Sequence, residues 1–203
     1  MQNSDTPKVS LLVPICNVER YLRECLDSAV TQSLKDIEII CINDGSTDSS
    51  PDIIREYMEC DARVKMIDKV NSGYGDSMNR GLEMARGEYV GILESDDFMF
   101  EDSLQKLVAK ADAEYADVVK GDFYLYWSTP SERCELFGII DEHMTGAAYR
   151  PVDRPGIFYR KPSIWSAIYR REFLNDNQIR FLPTPGASYQ DAGFNFKVWA
   201  CAE

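Results

Sequence analysis

The stretch IEIICINDGSTDSSPDIIREYM, residues 37 to 58, carries a strand, a loop and a helix without interruption. Its opening, IEIICI (37 to 42), is too apolar for a half-exposed strand and suits a central strand of a parallel sheet, covered on both faces. NDGSTD (43 to 48) then supplies side chains that bond back to their own backbone in turns. Ser50 is placed to cap a helix, with Pro51 at its first position, where a missing N–H costs nothing. From there Ile53, Ile54, Tyr57 and Met58 fall on one helical face. Strand, polar loop and amphipathic helix in that order are the repeating unit of an α/β sheet.

Outward from this stretch the unit recurs. Strands are expected at VSLLV (9 to 13), VKMI (64 to 67), EYVGIL (88 to 93) and DVVKGDFYLYW (117 to 127). Tyr21, Leu22, Cys25, Leu26, Ala29 and Val30 share a helical face. Further helices are expected from Asp76 to Arg86 and from Asp102 to Glu114, the last with Leu104, Leu107, Val108 and Ala111 inward. The alternation predicts an α/β fold, a mostly parallel central sheet covered by helices. Residues 128 to 162 lose any period, in a stretch longer than most structural loops, which points to function or mobility. Helical patterning returns at Trp165 to Leu174 and at Gln190 to Ala202. The 203 residues fit one domain with a real core.

Lys and Arg number 22 and Asp and Glu 34, a formal net charge of −12, which argues against nonspecific binding to nucleic acid or anionic lipid. It leaves room for a phosphate ligand that arrives with a divalent cation. The six cysteines, Cys16, Cys25, Cys41, Cys60, Cys134 and Cys201, form no CxxC pair, and several lie in apolar runs. They are expected to be buried free thiols in a reducing compartment. MQNSDTPK at the N-terminus lacks the basic-then-apolar order of a signal peptide, and no apolar run approaches the roughly 20 residues of a membrane span. A cytoplasmic chain is expected. FNFKVWACAE at the C-terminus reads as a helix with no Gly, Asn or Pro to stop it, so a natural continuation is expected. His143 is the only histidine, which leaves no material for a Ser-His-Asp triad or a histidine-rich metal site.

Ligands of an open parallel sheet gather beyond the carboxyl ends of its strands. Here the first strand runs into Pro14, Asn17 and Glu19, and the second into Asn43, Asp44 and Asp48. The third runs into DKVNSGYG (68 to 75) and the fourth into ESDD, with Glu94, Asp96 and Asp97. No GxxxxGK phosphate loop is present, and the nearest approach to GxGxxG, Gly73 to Met78, lacks its third glycine. At an effective dielectric of about 20, each acid about 4 Å from a phosphate charge costs about 4 kcal/mol, so acids share an edge with phosphate only with a cation between them. Hard oxygen donors select Mg2+ or Mn2+. Each piece also has a plain structural reading: NDGSTD as a turn, and Asp96 with Asp97 as acids serving the dipole of the next helix. Trp165, Tyr124, Tyr126 and Trp127 are of a kind that stacks on sugars, and equally of a kind that fills a core.

Taken in order, PICNVERYL, NDGSTDSS, NSGYGDSMNRGLEMARGEYV and ILESDD resemble the N-terminal half of family 2 glycosyltransferases, over about residues 8 to 127. IWSAIYRREFLNDNQIRFLP and SYQDAGFNFKVW are similar to the acceptor half of bacterial members that build polysaccharides. The resemblance implies a GT-A fold, Rossmann-like, with residues 1 to 127 as the nucleotide-sugar half and 128 to 203 as the acceptor half of the same domain. It implies transfer, with inversion, from a nucleotide-sugar, expected to be a UDP-sugar, to a saccharide or lipid-linked acceptor, with Mn2+ or Mg2+ as cofactor. Peripheral association with the inner face of the membrane is expected through the C-terminal continuation.

Carried over by position, the resemblance implies that Pro14, Asn17, Glu19 and Asp44 hold the nucleoside, Asp44 facing the uracil edge. Asn71, Gly73, Asn79 and Arg80 match the segment flanking nucleotide and donor sugar. Asp97 matches the metal-binding acid and Asp96 the acid that touches ribose or sugar beside the metal, while Asp191 matches the general base. Three positions depart from the family pattern: Cys16 replaces a tyrosine, Glu94 the first acid of LDxDD, and Gln190 the acid before the base. A non-catalytic nucleotide- or carbohydrate-binding relative and a nucleotidyltransferase are the alternatives, the latter at odds with the lack of a glycine-rich basic loop near the N-terminus.

Overall fold

The computed structural model describes residues 6–139, 144–145, 148–186 and 189–203. His143 lies outside them. Four strands, β1 (Val9–Ile15), β2 (Ile37–Asp44), β3 (Val64–Lys69) and β4 (Tyr89–Ile92), pair in parallel in the order β3-β2-β1-β4. Every residue of β1 and β2 is buried, as the apolar runs require.

Period-2 alternation sends these side chains into two cores. Val9, Leu11 and Val13 of β1 and Ile37, Ile39 and Cys41 of β2 face one side. There they meet Leu22, Cys25, Leu26 and Ala29 of helix α1 (Glu19–Val30), Ile53 and Ile54 of α2 (Ser50–Cys60), and Leu104, Val108 and Ala111 of α4 (Ser103–Glu114). Leu12, Ile40 and Ile42 face the other. That side is covered by Met78 and Leu82 of α3 (Tyr74–Met84), by Phe173 and Leu174 of α5 (Arg171–Asp176), and by Phe194, Val198 and Trp199 of α6 (Gln190–Cys201). The central sheet is therefore buried between helices, as its composition demands.

Two expected elements differ. Trp165 to Leu174 is not one helix: a 3-10 turn at Ile164–Ser166 leads into strand β8 (Ala167–Arg170), followed by α5. A short apolar run such as AIY has no period that separates a buried strand from a buried helix, and here it fills the slot beside β4. The expected strand 117 to 127 splits in two at Gly121 and Asp122. Its first part, β5 (Val118–Lys120), pairs antiparallel with β8 and completes the sheet order β3-β2-β1-β4-β8-β5. Its second part, β6 (Phe123–Trp127), leaves the sheet to form a hairpin with β7 (Arg133–Phe137), inside the stretch that shows no period in sequence. The Gly121 N–H bonds to the Ser166 carbonyl at 2.8 Å, and Asp122 accepts the Ile139 N–H at 2.7 Å, which fixes the parting.

The cysteines are free, but only Cys25 and Cys41 are buried; Cys16, Cys60 and Cys134 are exposed and Cys201 is half-buried. Cys16 lies just past the end of β1 and Cys134 on the outer hairpin, where no second layer covers them. Helix α3 begins two residues before the expected Asp76, because Gly73, at φ 92°, already ends the preceding loop.

Candidate active site

The loops at the carboxyl ends of β1 and β2 clasp each other. Asn17 accepts the Thr47 N–H at 2.8 Å, and its own N–H goes to the Ser46 hydroxyl at 3.0 Å. Glu19 accepts the Ser49 N–H at 2.8 Å while its N–H donates to Asp48 at 3.0 Å. Asn17 and Glu19 thus shape the edge. Pro14 lies within β1, buried and opposite Ile42.

Asp44, 5% exposed, is the hub of the next loop. One carboxylate oxygen accepts the Ser72 N–H at 2.8 Å and the Lys69 ammonium, and the other accepts the Gly73 N–H at 2.9 Å. Burial pushes its pKa up, but Lys69 and the two backbone N–H groups outweigh it, and the acid ends below its ordinary value. Lys69 also bonds to the Ser72 hydroxyl and lies 3.4 Å from Asp76. Asp76 accepts from Ser72 at 2.5 Å and from Arg80 at 2.9 Å, and these hydrogen bonds hold it at about 2. Asn71 donates to the Asp44 carbonyl at 2.9 Å and toward the Cys16 sulfur at 3.4 Å. The close fit explains Gly45, at φ 66°, where a Cβ would lie 2.6 Å from the Asn71 nitrogen.

Asn79 bonds to the backbone of a distant segment. Its amide donates to the Phe181 carbonyl at 3.0 Å and its oxygen accepts the Phe181 N–H at 2.9 Å. It therefore clamps α3 to the segment that leads into α6. Gly75 belongs to the same contact, since a Cβ there would lie 2.0 Å from the Leu182 carbonyl oxygen. The Tyr74 N–H reaches the Gly186 carbonyl at 3.3 Å. Phe181 stacks on Phe194 of α6 at 4.2 Å, and Gln190, 3% exposed, donates its amide to the Thr184 hydroxyl at 2.8 Å and the Gly186 carbonyl at 3.1 Å. These contacts set the first turn of α6, which carries Asp191.

Past β4 the charges of several acids act on Glu94. The Tyr74 hydroxyl donates to Glu94 at 2.6 Å. Burial raises Glu94 to about 7; the Tyr74 bond opposes this, and the negative charges of Asp96, Asp97 and Asp191 add to it. Asp97 is also raised, by desolvation and by Asp96 beside it, with Lys161 pulling the other way. Asp96 and Asp97, in the loop just after β4, and Asp191, from a distant segment, thus act on one half-buried acid. The raised Glu94 and Asp97 mark a place where added negative charge is disfavoured, which is the electrostatic condition for a cation. Among the described residues no three His, Cys, Asp or Glu side chains converge to close a metal shell. An Asp pair alone suits Mg2+ or Mn2+, ions that fill their remaining positions with water and substrate phosphate.

Arg80 is half-exposed, held by Asp76 at the rim. Of the aromatics, Tyr124 and Tyr126 are exposed and lie edge-on to Phe100 and Phe98 at 5.6 and 5.3 Å. Trp127 lies under Arg133 and Trp165 tilts on Phe123. Lys69 and Tyr74 escaped the sequence reading. The signal available for Lys69 was a lone cation in an acidic strand end; for Tyr74 there was none, since its partner Glu94 is 20 positions away.

Residues 10–133 match the family described as Glycosyl transferase family 2, and the chain belongs to that family. It is 34% identical over 209 residues to the glycosyltransferase GlyA of Streptococcus pneumoniae, covering 97% of this chain and 28% of that protein. It is 33% identical over 208 residues to EpsJ of Bacillus subtilis, an uncharacterized glycosyltransferase, covering 97% of this chain and 57% of that one. The crystal structure of S. aureus TarS 1-349 in complex with UDP-GlcNAc superposes with a TM-score of 0.77 at 26% identity, over 97% of this chain and 54% of that chain. The chain therefore spans little more than half of the length of the second relative and of this neighbour, and less of the first. A mannosyltransferase from Pyrobaculum calidifontis in complex with GDP-Man and Mn2+, at 19% identity and a TM-score of 0.64, shares the fold.

Proposed function

We propose that the chain is the catalytic region of a divalent-metal-dependent glycosyltransferase that moves a sugar from a UDP-sugar to a saccharide or lipid-linked hydroxyl, with inversion. The observation that carries this reading is Glu94, bonded by the Tyr74 hydroxyl at 2.6 Å at the strand ends and raised by burial and by the negative charges of Asp96, Asp97 and Asp191. Family membership and the UDP-GlcNAc complex of the TarS neighbour favour a UDP-sugar donor.

Asp44 has one oxygen with a single hydrogen bond, so it retains acceptor capacity for the N3–H of uracil. Its ionised state, held by Lys69, suits that role. The clasped loops of Asn17 and Glu19 form the wall beside it, with Pro14 beneath, and Asn71, Gly73 and Arg80 line the way to the sugar. Asp97, with Asp96, holds Mn2+ or Mg2+, and Asp96 also reaches the ribose or sugar. When bound, the cation neutralises charge on the departing diphosphate. Asp191 takes the proton of the acceptor hydroxyl as its oxygen attacks the anomeric carbon from the face opposite the leaving group. Such base assistance is typically worth about 10² to 10⁴ in rate. A single displacement converts an α-linked donor into a β-glycoside.

Incubation with a panel of UDP- and GDP-sugars tests the reading. UDP release that needs Mn2+ or Mg2+ and stops with chelator, with a β-linked product, is expected. Failure to bind UDP in the presence of Mn2+ together with no turnover of any donor would overturn it.

A further inference from the structure

One cation on this acidic edge has no ionic partner among the described residues. Lys161 is exposed and makes no ion pair with a described residue. Its ammonium sits 5.3 Å from the ring centres of both Phe123 and Phe137, which oppose each other across the hairpin and stack at 5.1 Å. Rings hold a cation through their negative faces and take up no N–H, so all three donors stay available.

The platform is fixed at the ligand edge. β5 and β4 both run antiparallel to β8, so β5 is parallel to β4 and its carboxyl end lies on the same side as those of β1 to β4. Lys120, at that end, donates to the Ser163 carbonyl, and the Ser163 N–H returns to the Lys161 carbonyl at 2.8 Å. Strand β6, which supplies Phe123, also packs through Tyr126 on Phe98, the residue after Asp97. Lys161, over Phe123, and Phe98, next to Asp97, are thereby packed on the same strand.

We propose that Lys161 binds the diphosphate of the nucleotide-sugar, as a second cation that stabilises the leaving group. This rests on the reading of the edge as a nucleotide-sugar site. One divalent ion leaves part of the charge of a departing nucleoside diphosphate unbalanced, and a ring-held ammonium with free donors supplies what is missing.

Dissociation constants of UDP and of uridine, measured in Mn2+ on the wild-type chain and on Lys161→Met, Lys161→Gln and Lys161→Arg, test it. The neutral variants are expected to lose about tenfold or more in UDP affinity with uridine affinity kept. Lys161→Arg is expected to retain most of it. Preserved uridine binding reports an intact fold, and the glutamine variant serves if the methionine variant does not fold. A ratio of UDP to uridine affinity within twofold of wild type in a folded neutral variant would overturn the role of Lys161 alone. Absence of UDP binding by the wild-type chain would overturn the underlying reading as well.

Discussion

Gln190 stands where the family resemblance places an acid, and the structure supplies a reason for the amide. Its NH2 donates to the Thr184 hydroxyl and the Gly186 carbonyl in a nearly closed environment. A carboxylate there would face two acceptors, one of which has no proton to give. Gln190→Glu is therefore expected to cost about 1–3 kcal/mol, seen as a melting temperature lower by several degrees. An unchanged melting temperature would contradict this. Single residues also mark the limit of sequence reading. Asp44, Asn71 and Gly73 were legible as a group because they lie in recognisable order, and they do meet through hydrogen bonds. What Asp44 bonds to was less legible, since Lys69 is 25 positions away. Asn79 belongs to the same motif, yet both ends of its amide are engaged by a backbone 102 positions further on.

At the scale of elements, α3 and the segment before α6 behave as one unit. Asn79, Gly73 and Gly75 press the helix start against residues 181 to 186, and Phe181 carries the contact to Phe194. Asn79→Ala leaves the Phe181 N–H and carbonyl unpaired in a buried position, at a cost of about 1–3 kcal/mol. Because the strain falls on the approach to Asp191, turnover is expected to drop more than UDP affinity; equal losses in both would contradict the coupling. The strands β1 to β4 and helices α1 to α4 were readable because long buried runs and amphipathic faces have distinct periods. β8 was not, because three buried residues carry no period and its place depends on the neighbours β4 and β5. The break between β5 and β6 was hidden for a related reason: a strand pattern does not reveal which sheet receives it.

For the whole molecule, acid stability depends in part on a group far from the candidate site. Glu38, on β2 near the amino end of the sheet and 3% exposed, is pushed up by burial. Hydrogen bonds from Lys65 at 2.6 Å, Ser10 at 2.6 Å and the Arg86 N–H at 2.8 Å outweigh this, so its pKa lies below the ordinary value. A lowered acid stabilises the fold above its unfolded pKa and loses that contribution as pH falls through the folded one. Stability is thus expected to decline below about pH 4, and Glu38→Gln to flatten the decline in chemical denaturation measured against pH. An identical acid limb in the variant would contradict the assignment. No helix among the described residues is long and apolar enough to cross a membrane. The overall α/β architecture was legible because composition and alternation act over the whole chain, whereas the influence of Asp191 on Glu94 depends on how two distant segments pack.

The base role proposed for Asp191 is the central claim, and Asp191→Asn tests it most directly. The substitution keeps size and removes the proposed base, so UDP affinity in Mn2+ is predicted to stay within about twofold while turnover of whichever donor the wild-type chain turns over falls by about 10² or more. Turnover within tenfold of wild type, or a fall matched by an equal loss of UDP affinity, would contradict the account.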